Sequence, residues 1–426
     1  MASGQQGTVV TDNATTEKAG WEEGFYAEAR RLGHDEGALR DGRPVSNVVY
    51  AKDVQDLKDL LQDGASEEQR QQRLTQLRER VPQYFEEDNR HVQHLTVRTV
   101  AAVLAGHQHS PEDLRDLQGA FPMAVNTLSL PDKVLKAGQP WDLGTSTSPQ
   151  VINLGRLQME AGSSIIIRNT PLTLTVQDLI CDAGTPPATP NGVNYHLAVL
   201  GATGAKGGDG KAGDAGQTGD QGRDGTCASG QSGGYGKDGG NGKSGDDGQR
   251  GEMGRAALGA TITVARSIGG TGGMFVVMTK SGDGGNGGDG GAGGDGGDGG
   301  RGGGADKCGC NCGKPGNGGS GGNGGNGGIG GSGGDAVDGL DIYLTVPPGQ
   351  ESKVQHFTQD ARPGPGGQAG HEGKAGGEGM DGGPYSHWDC RSGASKGNPG
   401  RDGTAGTKGS QGTRSGTPGH IYVNEK

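Results

Sequence analysis

Aromatic side chains are scarce in this 426-residue chain, at 4%, and all apolar residues together make up 29%. That is too little for one conventional hydrophobic core in a chain long enough for two or three domains. No run of eighteen apolar residues occurs, so a membrane-spanning helix is excluded. Lys and Arg number 39 against 50 Asp and Glu, and the formal net charge of -11 disfavours nucleic acid and anionic membranes as partners. Residues 1–16 are polar and lack an apolar stretch, so no secretion signal peptide is expected; export would use another route or carriage on a larger particle.

What the chain has instead is glycine, 94 residues of it, concentrated between Gly201 and Gly419. Three blocks share one plan, two arms of glycine triplets around a break. In the first block the triplets run from Gly201 to Gly225, slip over Thr226, Cys227, Ala228 and Ser229, and resume from Gly230 to Gly254. The second is a stricter Gly-Gly-X from Gly284 to Gly303 and from Gly318 to Gly334, around Cys308, Cys310 and Cys312. The third runs from Gly364 to Gly382 and from Gly397 to Gly412, around Pro384, Tyr385, His387, Trp388 and Cys390.

A period of three is neither helical nor sheet-like and matches polyproline II geometry, with about 3.1 Å rise per residue. Glycine on one edge lets a neighbouring backbone come close, and Gly-Gly-X frees two edges, which suits a rod with rods on both sides. The expectation is a bundle of six polyglycine II helices in three hairpins, each arm roughly 60 Å long. A collagen triple helix wants more proline than the first two blocks hold, and the slips would break it. A calcium β-roll needs a nine-residue period with an apolar position. Plain disorder is the remaining alternative, given the entropy of so much glycine.

Cysteine is sparse but even in number: Cys181, Cys227, Cys308, Cys310, Cys312 and Cys390. Five lie in breaks, and hairpins of similar length would gather them at one end as disulfide staples. A zinc site from Cys308, Cys310 and Cys312 with His387 or Cys390 is the competing reading, but its one-residue spacing is unlike structural zinc motifs. Neither pairing nor metal follows from spacing, and no cofactor is expected.

Outside the blocks, residues 1–15 read as a disordered tail. Residues 16–122 are charged and glycine-poor, and read as a helical domain. Trp21, Phe25, Ala29 and Leu32 form one stripe ended by Gly33, and Val54, Leu57 and Leu61 a second. Ser66-Glu67-Glu68-Gln69 opens a third helix as a capping box. A fourth is expected from about Glu86 to Ala105, and a short one after Ser110-Pro111. His91, His94, His107 and His109 fall here, as exposed helix-end residues or metal ligands.

From 123 to 200 the pattern turns to strands. Ile165 and Ile167, then Leu172, Leu174 and Val176, then Tyr195, Leu197 and Val199 alternate with polar residues, and Gly162, Asn169, Thr170 and Pro171 supply turns. The alternation returns between blocks. Ile262, Val264, Phe275 and Val277 suggest one hairpin; Ile342, Leu344, Val346, Val354 and Phe357 suggest another; Ile421 and Val423 close the chain. Strands from 257–280, 337–360 and 419–426 are thus expected to join 123–200 in a β-sandwich or roll. Glycine hairpins at 201–256, 281–335 and 363–418 would leave it in one direction, a multidomain fold with a period near eighty residues.

Little looks catalytic. Gly242-Lys243-Ser244 falls short of a phosphate loop, since Lys237 stands where its first glycine belongs. Asp283, Asp289, Asp295 and Asp298 recur along one arm, as a solvated face or a loose calcium ladder. The densest chemistry is the third break, where Tyr385, His387, Trp388, Asp389 and Arg391 crowd aromatics and charge into one loop, as a recognition patch or a small cap on the bundle end. Lys307 and Lys314, within the second break, are further candidates for binding at the tip.

On these triplet blocks the chain resembles the polyglycine II rod-bundle proteins, most of all the receptor-binding tail-fibre adhesins of T-even-type bacteriophages. It is less similar to the snow flea antifreeze protein, whose ice binding the frequent Asp, Lys and Arg here oppose. The likeness covers about half the chain and rests on composition and layout. The N-terminal helices, cysteine-bearing breaks and long arms depart from it. It implies a base domain carrying rods whose far loops, here 226–229, 304–317 and 383–396, meet a host receptor. The reading is a non-enzymatic structural or adhesive protein, in or on an extracellular particle. Its expected partners are a cell-surface receptor or glycan, a larger fibre held through the helical domain, and other copies of itself. A self-assembling matrix or fibre protein is the alternative, and a secreted toxin or enzyme acting through residues 16–200 the second.

Overall fold

The computed structural model describes residues 13–61, 66–80, 121–146, 148–182, 187–188, 192, 194–226, 231–270, 273–308, 311–383 and 393–425. The chain opens with α1 (Asn13–Arg31), α2 (Glu36–Arg40), β1 (Val45–Ala51), α3 (Val54–Leu60) and α4 (Glu67–Arg80). Strands β2 (Met123–Leu135), β3 (Pro140–Thr145), β4 (Gln150–Met159), β5 (Ser164–Arg168), β6 (Leu172–Cys181) and β7 (Leu197–Leu200) follow. Beyond them lie β8 (Ala260–Gly269), β9 (Phe275–Lys280), the two-residue strands β10 (Lys307–Cys308) and β11 (Asn311–Cys312), then β12 (Ile342–Thr345), β13 (Val354–Gln359) and β14 (Ile421–Val423).

These strands make a mixed sheet of seven, in the order β1-β2-β4-β6-β8-β12-β14, and a parallel sheet of five, β13-β9-β7-β5-β3. Apart from β1, which runs antiparallel to β2, every pair in both sheets is parallel. Successive strands alternate between the sheets, so the chain winds as a two-sided coil. Apolar residues stack in columns along it: Leu128, Ile152, Leu174, Ile262, Leu344 and Val423 lie in register from rung to rung. They face Ile165, Leu197 and Val277 of the other sheet in one continuous core. The turns repeat too. Gly138 and Gly162 hold φ of 69° and 74°, and the Gly138 N–H donates to Ala161 O across adjacent rungs.

The expected fold class is corrected on this evidence. The architecture is a mixed sheet of seven and a parallel sheet of five, and the glycine blocks hold no assigned helix. The N-terminal helices form no domain of their own. Trp21, Phe25, Ala29 and Leu32 are buried as a stripe, but against the outer face of the seven-stranded sheet: Asn153 Nδ2 donates to Phe25 O at 3.0 Å, and a Cβ on Gly155 would strike the Trp21 ring. Strand β1, within the segment expected to be helical, extends that sheet. The Ser66–Gln69 capping box is present, with Gln69 N donating to Ser66 Oγ at 3.2 Å and Ser66 N to Gln69 Oε1 at 2.7 Å. The helices expected at 86–105 and after Ser110, with His91, His94, His107 and His109, lie outside the described residues. The two hairpins are also corrected. β8 and β9 lie in different sheets, as do β12 and β13, because each connection crosses the core instead of folding back. Period-two alternation is the same in both cases.

Candidate recognition tip of the glycine array

The three glycine blocks leave the coil where β7 passes to β8, β9 to β12 and β13 to β14. Each gives an outgoing and a returning segment without helix or strand assignment, held to its neighbours by backbone hydrogen bonds at every third residue. Sheet pairing passes into this array without interruption. Leu200 is paired with Lys280, Gly201 N donates to Lys280 O, and Gly204 N to Asp283 O at 2.9 Å. The series continues through Gly213 to Ala292 and Gly222 to Arg301. The outgoing segment of the second block bonds in turn to that of the third, with Gly284 N donating to Arg362 O and Gly302 N to Met380 O. The returning segments repeat the scheme, Gly236 N to Asn317 O and Gly321 N to Asn398 O. The two layers are then joined by bonds such as Gly294 N to Lys243 O and Gly325 N to Gly294 O. Face-packed sheets stand about 10 Å apart because side chains fill the gap. Where the side chains are gone, the layers meet in direct hydrogen bonds.

The Gly-Gly-X segments occupy the middle. Segment 284–303 bonds to both segments of the first block, to its own return and to the third block. Positions with more than one neighbour cannot carry a side chain: a Cβ on Gly294 would run into Asp214 O, and one on Gly293 into Gly325 O. The aspartates of this segment are half-exposed or exposed, as a solvated face requires, and each also has a structural bond. Asp283, Asp289, Asp295 and Asp298 each turn an Oδ1 to the backbone N–H of the adjacent segment, on Arg362, Gln368, Lys374 and Gly377, at 2.7–2.8 Å. Asn323 and Asn326 do the same for Arg401 and Thr404. Where X follows Gly-Gly, its side-chain oxygen satisfies the donor that the backbone ladder leaves over.

The described residues that flank the three breaks meet at the same far end. Gly225 N donates to Gly304 O, Ala305 N to Gly383 O, and Gly318 N to Ser395 O. Thr226 and Gln231 form an antiparallel bridge across the first break, while β10 and β11 form a small hairpin in the second, with Lys307 opposite Cys312. Around this end the Asp224 carboxylate accepts from Gly304 N at 2.7 Å, and Lys314 and Arg301 are exposed. One triplet back, the Lys237 ammonium lies 2.7 Å from Asp220 and holds its carboxyl below the usual range. Tyr235 is 75% exposed beside Asn317, and Met380 is 52% exposed beside Gly302. Sequence reasoning passed over these two. Their signal is a large side chain at an X position in arms filled mostly by small, polar and charged residues, a signal that Met253 and Ile329 share further from this end.

Of the residues singled out from sequence, Tyr385, His387, Trp388, Asp389, Arg391, Cys227, Cys310 and Cys390 lie outside the described residues. Lys307, Cys308 and Cys312 are placed by backbone in the small hairpin, and Lys314 stands beside Gly233, whose N–H donates to its carbonyl. Cys181 is set apart: it is a free, buried thiol in β6, its pKa pushed up to about 12 by burial and then by Asp182. Among the described residues no cluster of three or more His, Cys, Asp or Glu could hold a metal, and no helix is long and apolar enough to cross a membrane.

In the region 16–200, one Ser–His contact invites a catalytic reading. His34 Nδ1 lies 2.7 Å from Ser129 Oγ and its Nε2 lies 2.9 Å from Thr127 Oγ1. The serine is completely buried and the histidine nearly so, beneath the end of α1. Burial lowers the His34 pKa, against the opposing pull of Glu28. The contact ties the helix layer to the sheet and admits no substrate. No protein-family model matches this chain, and no curated protein or solved structure matches it either.

Proposed function

We propose that this is a non-enzymatic adhesive protein that presents recognition loops at the end of the glycine array. The observation that carries the reading is convergence: breaks separated by some eighty residues in sequence are brought to one far end by the backbone ladder. The coil supplies a rigid base, and the array supplies reach, up to about 3.4 Å per residue along each arm. Uniform ladders need no break to turn, yet each turn here is marked by cysteine, aromatic or basic residues. A supported loop rich in such groups is where binding energy concentrates. The partner class is a cell-surface receptor or glycan, bound by aromatic stacking and hydrogen bonding.

The test is binding of the labelled protein to cell panels and glycan arrays. Tyr385→Ala with Trp388→Ala in the third break, and Tyr235→Ala with Lys314→Ala in the described tip, are each expected to weaken binding at least tenfold while thermal unfolding is unchanged. Binding that survives both pairs overturns the proposal.

A further inference from the structure

The two ends of the coil are finished differently. At the β3 end the last strand of the five-stranded sheet starts with Pro140, carries Asp142 paired to Arg168, and breaks register at Gly144, whose φ is 77°. On the seven-stranded sheet, antiparallel β1 is the last strand and has neither charge nor proline, so at this end only the five-stranded sheet is blunted. Proline, inward or paired charge and a bulge are the devices that stop an edge from pairing further. At the other end β13 is the last strand of one sheet and the three-residue β14 the last of the other. From Val354 to Gln359 and from His420 to Val423 there is no charged residue and no proline, in a chain with 21% charged residues. Between the two edges lies an open cavity of about 530 Å³ lined by His356, Phe357, Thr358, His420, Ile421 and Tyr422.

We infer that this end is the interface of a two-fold dimer, with the β13 edges of two copies paired antiparallel. A single extended peptide could satisfy only one of the two edges and would leave the cavity beside it open. An occupant needs two strands at the same separation, facing each other across a gap, and the same end of a second copy has that form. The pairing is isologous and uses the same end of both copies, so the association closes at two, and the blunted β3 edge does not pair in its place. Register centred on Phe357 keeps inward residues inward: Phe357 meets Phe357, Gln355 meets Gln359 and His356 meets Thr358, with no like charges opposed inside the strands. A face roughly 20 Å by 20 Å, from six residues of strand and two sheets about 10 Å apart with their outer side chains, buries on the order of 800 Å² over two copies, at the weak end of protein contacts. The dimer is therefore a reversible one. Because the two-fold axis reverses strand direction, the two glycine arrays leave it in opposite directions. If the adhesive reading holds, one dimer bridges two surfaces, and avidity follows from valence.

The experiment is light scattering on size-exclusion fractions of the full chain over a hundredfold range of concentration. Mass is expected to rise from 42.9 kDa towards twice that value and no further. His356→Glu with Thr358→Glu places four carboxylates across the axis and is expected to hold the protein monomeric, with circular dichroism and thermal midpoint retained. Gln139→Glu at the β3 end is expected to leave dimerisation intact. Phe357→Cys is expected to add one reducible dimer band absent from the parent. A monomer at every concentration, or mass growing past two copies, overturns the inference. So does a dimer indifferent to the double glutamate. None of these readouts depends on the tip binding anything, so failure here and failure of the adhesive reading are separately visible.

Discussion

Glycine in the array is required in two degrees. At Gly294 an added Cβ meets the carbonyl oxygen of Asp214, fixed backbone that cannot give way. At Gly208 it meets only the Gln249 side-chain tip, 2.9 Å away and free to swing. Gly294→Ala is accordingly expected to cost about 2–3 kcal/mol and Gly208→Ala well under 1 kcal/mol, as overpacking against rigid and yielding neighbours does. Urea unfolding of the two variants checks the contrast. The aspartates give a second residue-scale prediction. Asp335 accepts from Thr413 N, Arg414 N and the Thr413 hydroxyl, and faces Arg250. Burial raises its pKa, but these donors outweigh it, and the net shift is downward. A carboxyl lowered in this way contributes stability above its unfolded pKa near 3.8 and loses it as pH falls through the folded value. His196 works at milder pH. It accepts from Val276 N at 3.1 Å, and burial lowers its pKa from 6.5 to about 4. Its folded form binds the proton less readily, so stability is complete above pH 6.5 and declines below it. The loss reaches about 3 kcal/mol near pH 4. His196→Phe, which still stacks near Phe275, is expected to flatten that decline in a pH series of thermal midpoints, whatever its effect at pH 7.

Among the elements, α4 has the most to hold. Its Arg80 bonds Asp341 at 2.7 Å and donates to Gly339 O, and its Arg73 lies over the Tyr343 ring while pairing with Glu425. An early helix thus ties the last two strands of the seven-stranded sheet. Burial raises the Asp341 pKa and Arg80 opposes it. Removing the arginine alone strands a buried carboxylate, and Arg80→Met is expected to cost about 3–5 kcal/mol. Adding Asp341→Asn is expected to recover a large part of that, since no buried charge is then left unpaired; a double-mutant cycle in urea measures the recovery. This strap was not legible in the sequence. The stripes Trp21-Phe25-Ala29-Leu32 and Val54-Leu57-Leu61 were, because burial imposes a helical period whatever lies opposite. The period does not say whether a helix packs on another helix or on a sheet, and the helices were expected to pack on each other. In the same way Ile262-Val264 and Phe275-Val277 read as strands without revealing that they face each other across a core. The spacing of bonds in the array was legible in its triplets. The role of Asp283 or Asn323 as acceptors for a neighbouring backbone was not, because an Asp or Asn at an exposed X position looks the same whether it meets water or an N–H.

At the scale of the molecule, two kinds of stabilisation are joined end to end. The coil buries Leu, Ile, Val and Phe in one core, whereas the array, residues 201–256, 281–335 and 363–418, is held by backbone hydrogen bonds between segments nearly free of apolar side chains. The two differ in thermodynamic signature. Exposing apolar surface raises the heat capacity of unfolding, and exposing peptide groups lowers it. An ordinary 426-residue chain would show about 5–6 kcal/mol/K, from about 12–15 cal/mol/K per residue. With about two-fifths of the chain contributing mainly amide exposure, which lowers the heat capacity, the total is expected to fall to roughly half that value by scanning calorimetry. The stability curve should then be broader, with less weakening on cooling. Connectivity inside the array sharpens the expectation. Segments of the second block bond to all four outer segments, whereas those of the third lie along one margin. Joining Asp360 to Thr417 in place of the third hairpin is expected to leave residues 201–335 resistant to protease. Excising the second hairpin should expose both remaining ones to cleavage, since each would lose its main partner. Equal protection in the two deletions would mean that each hairpin stands by itself and that the lateral ladder contributes little.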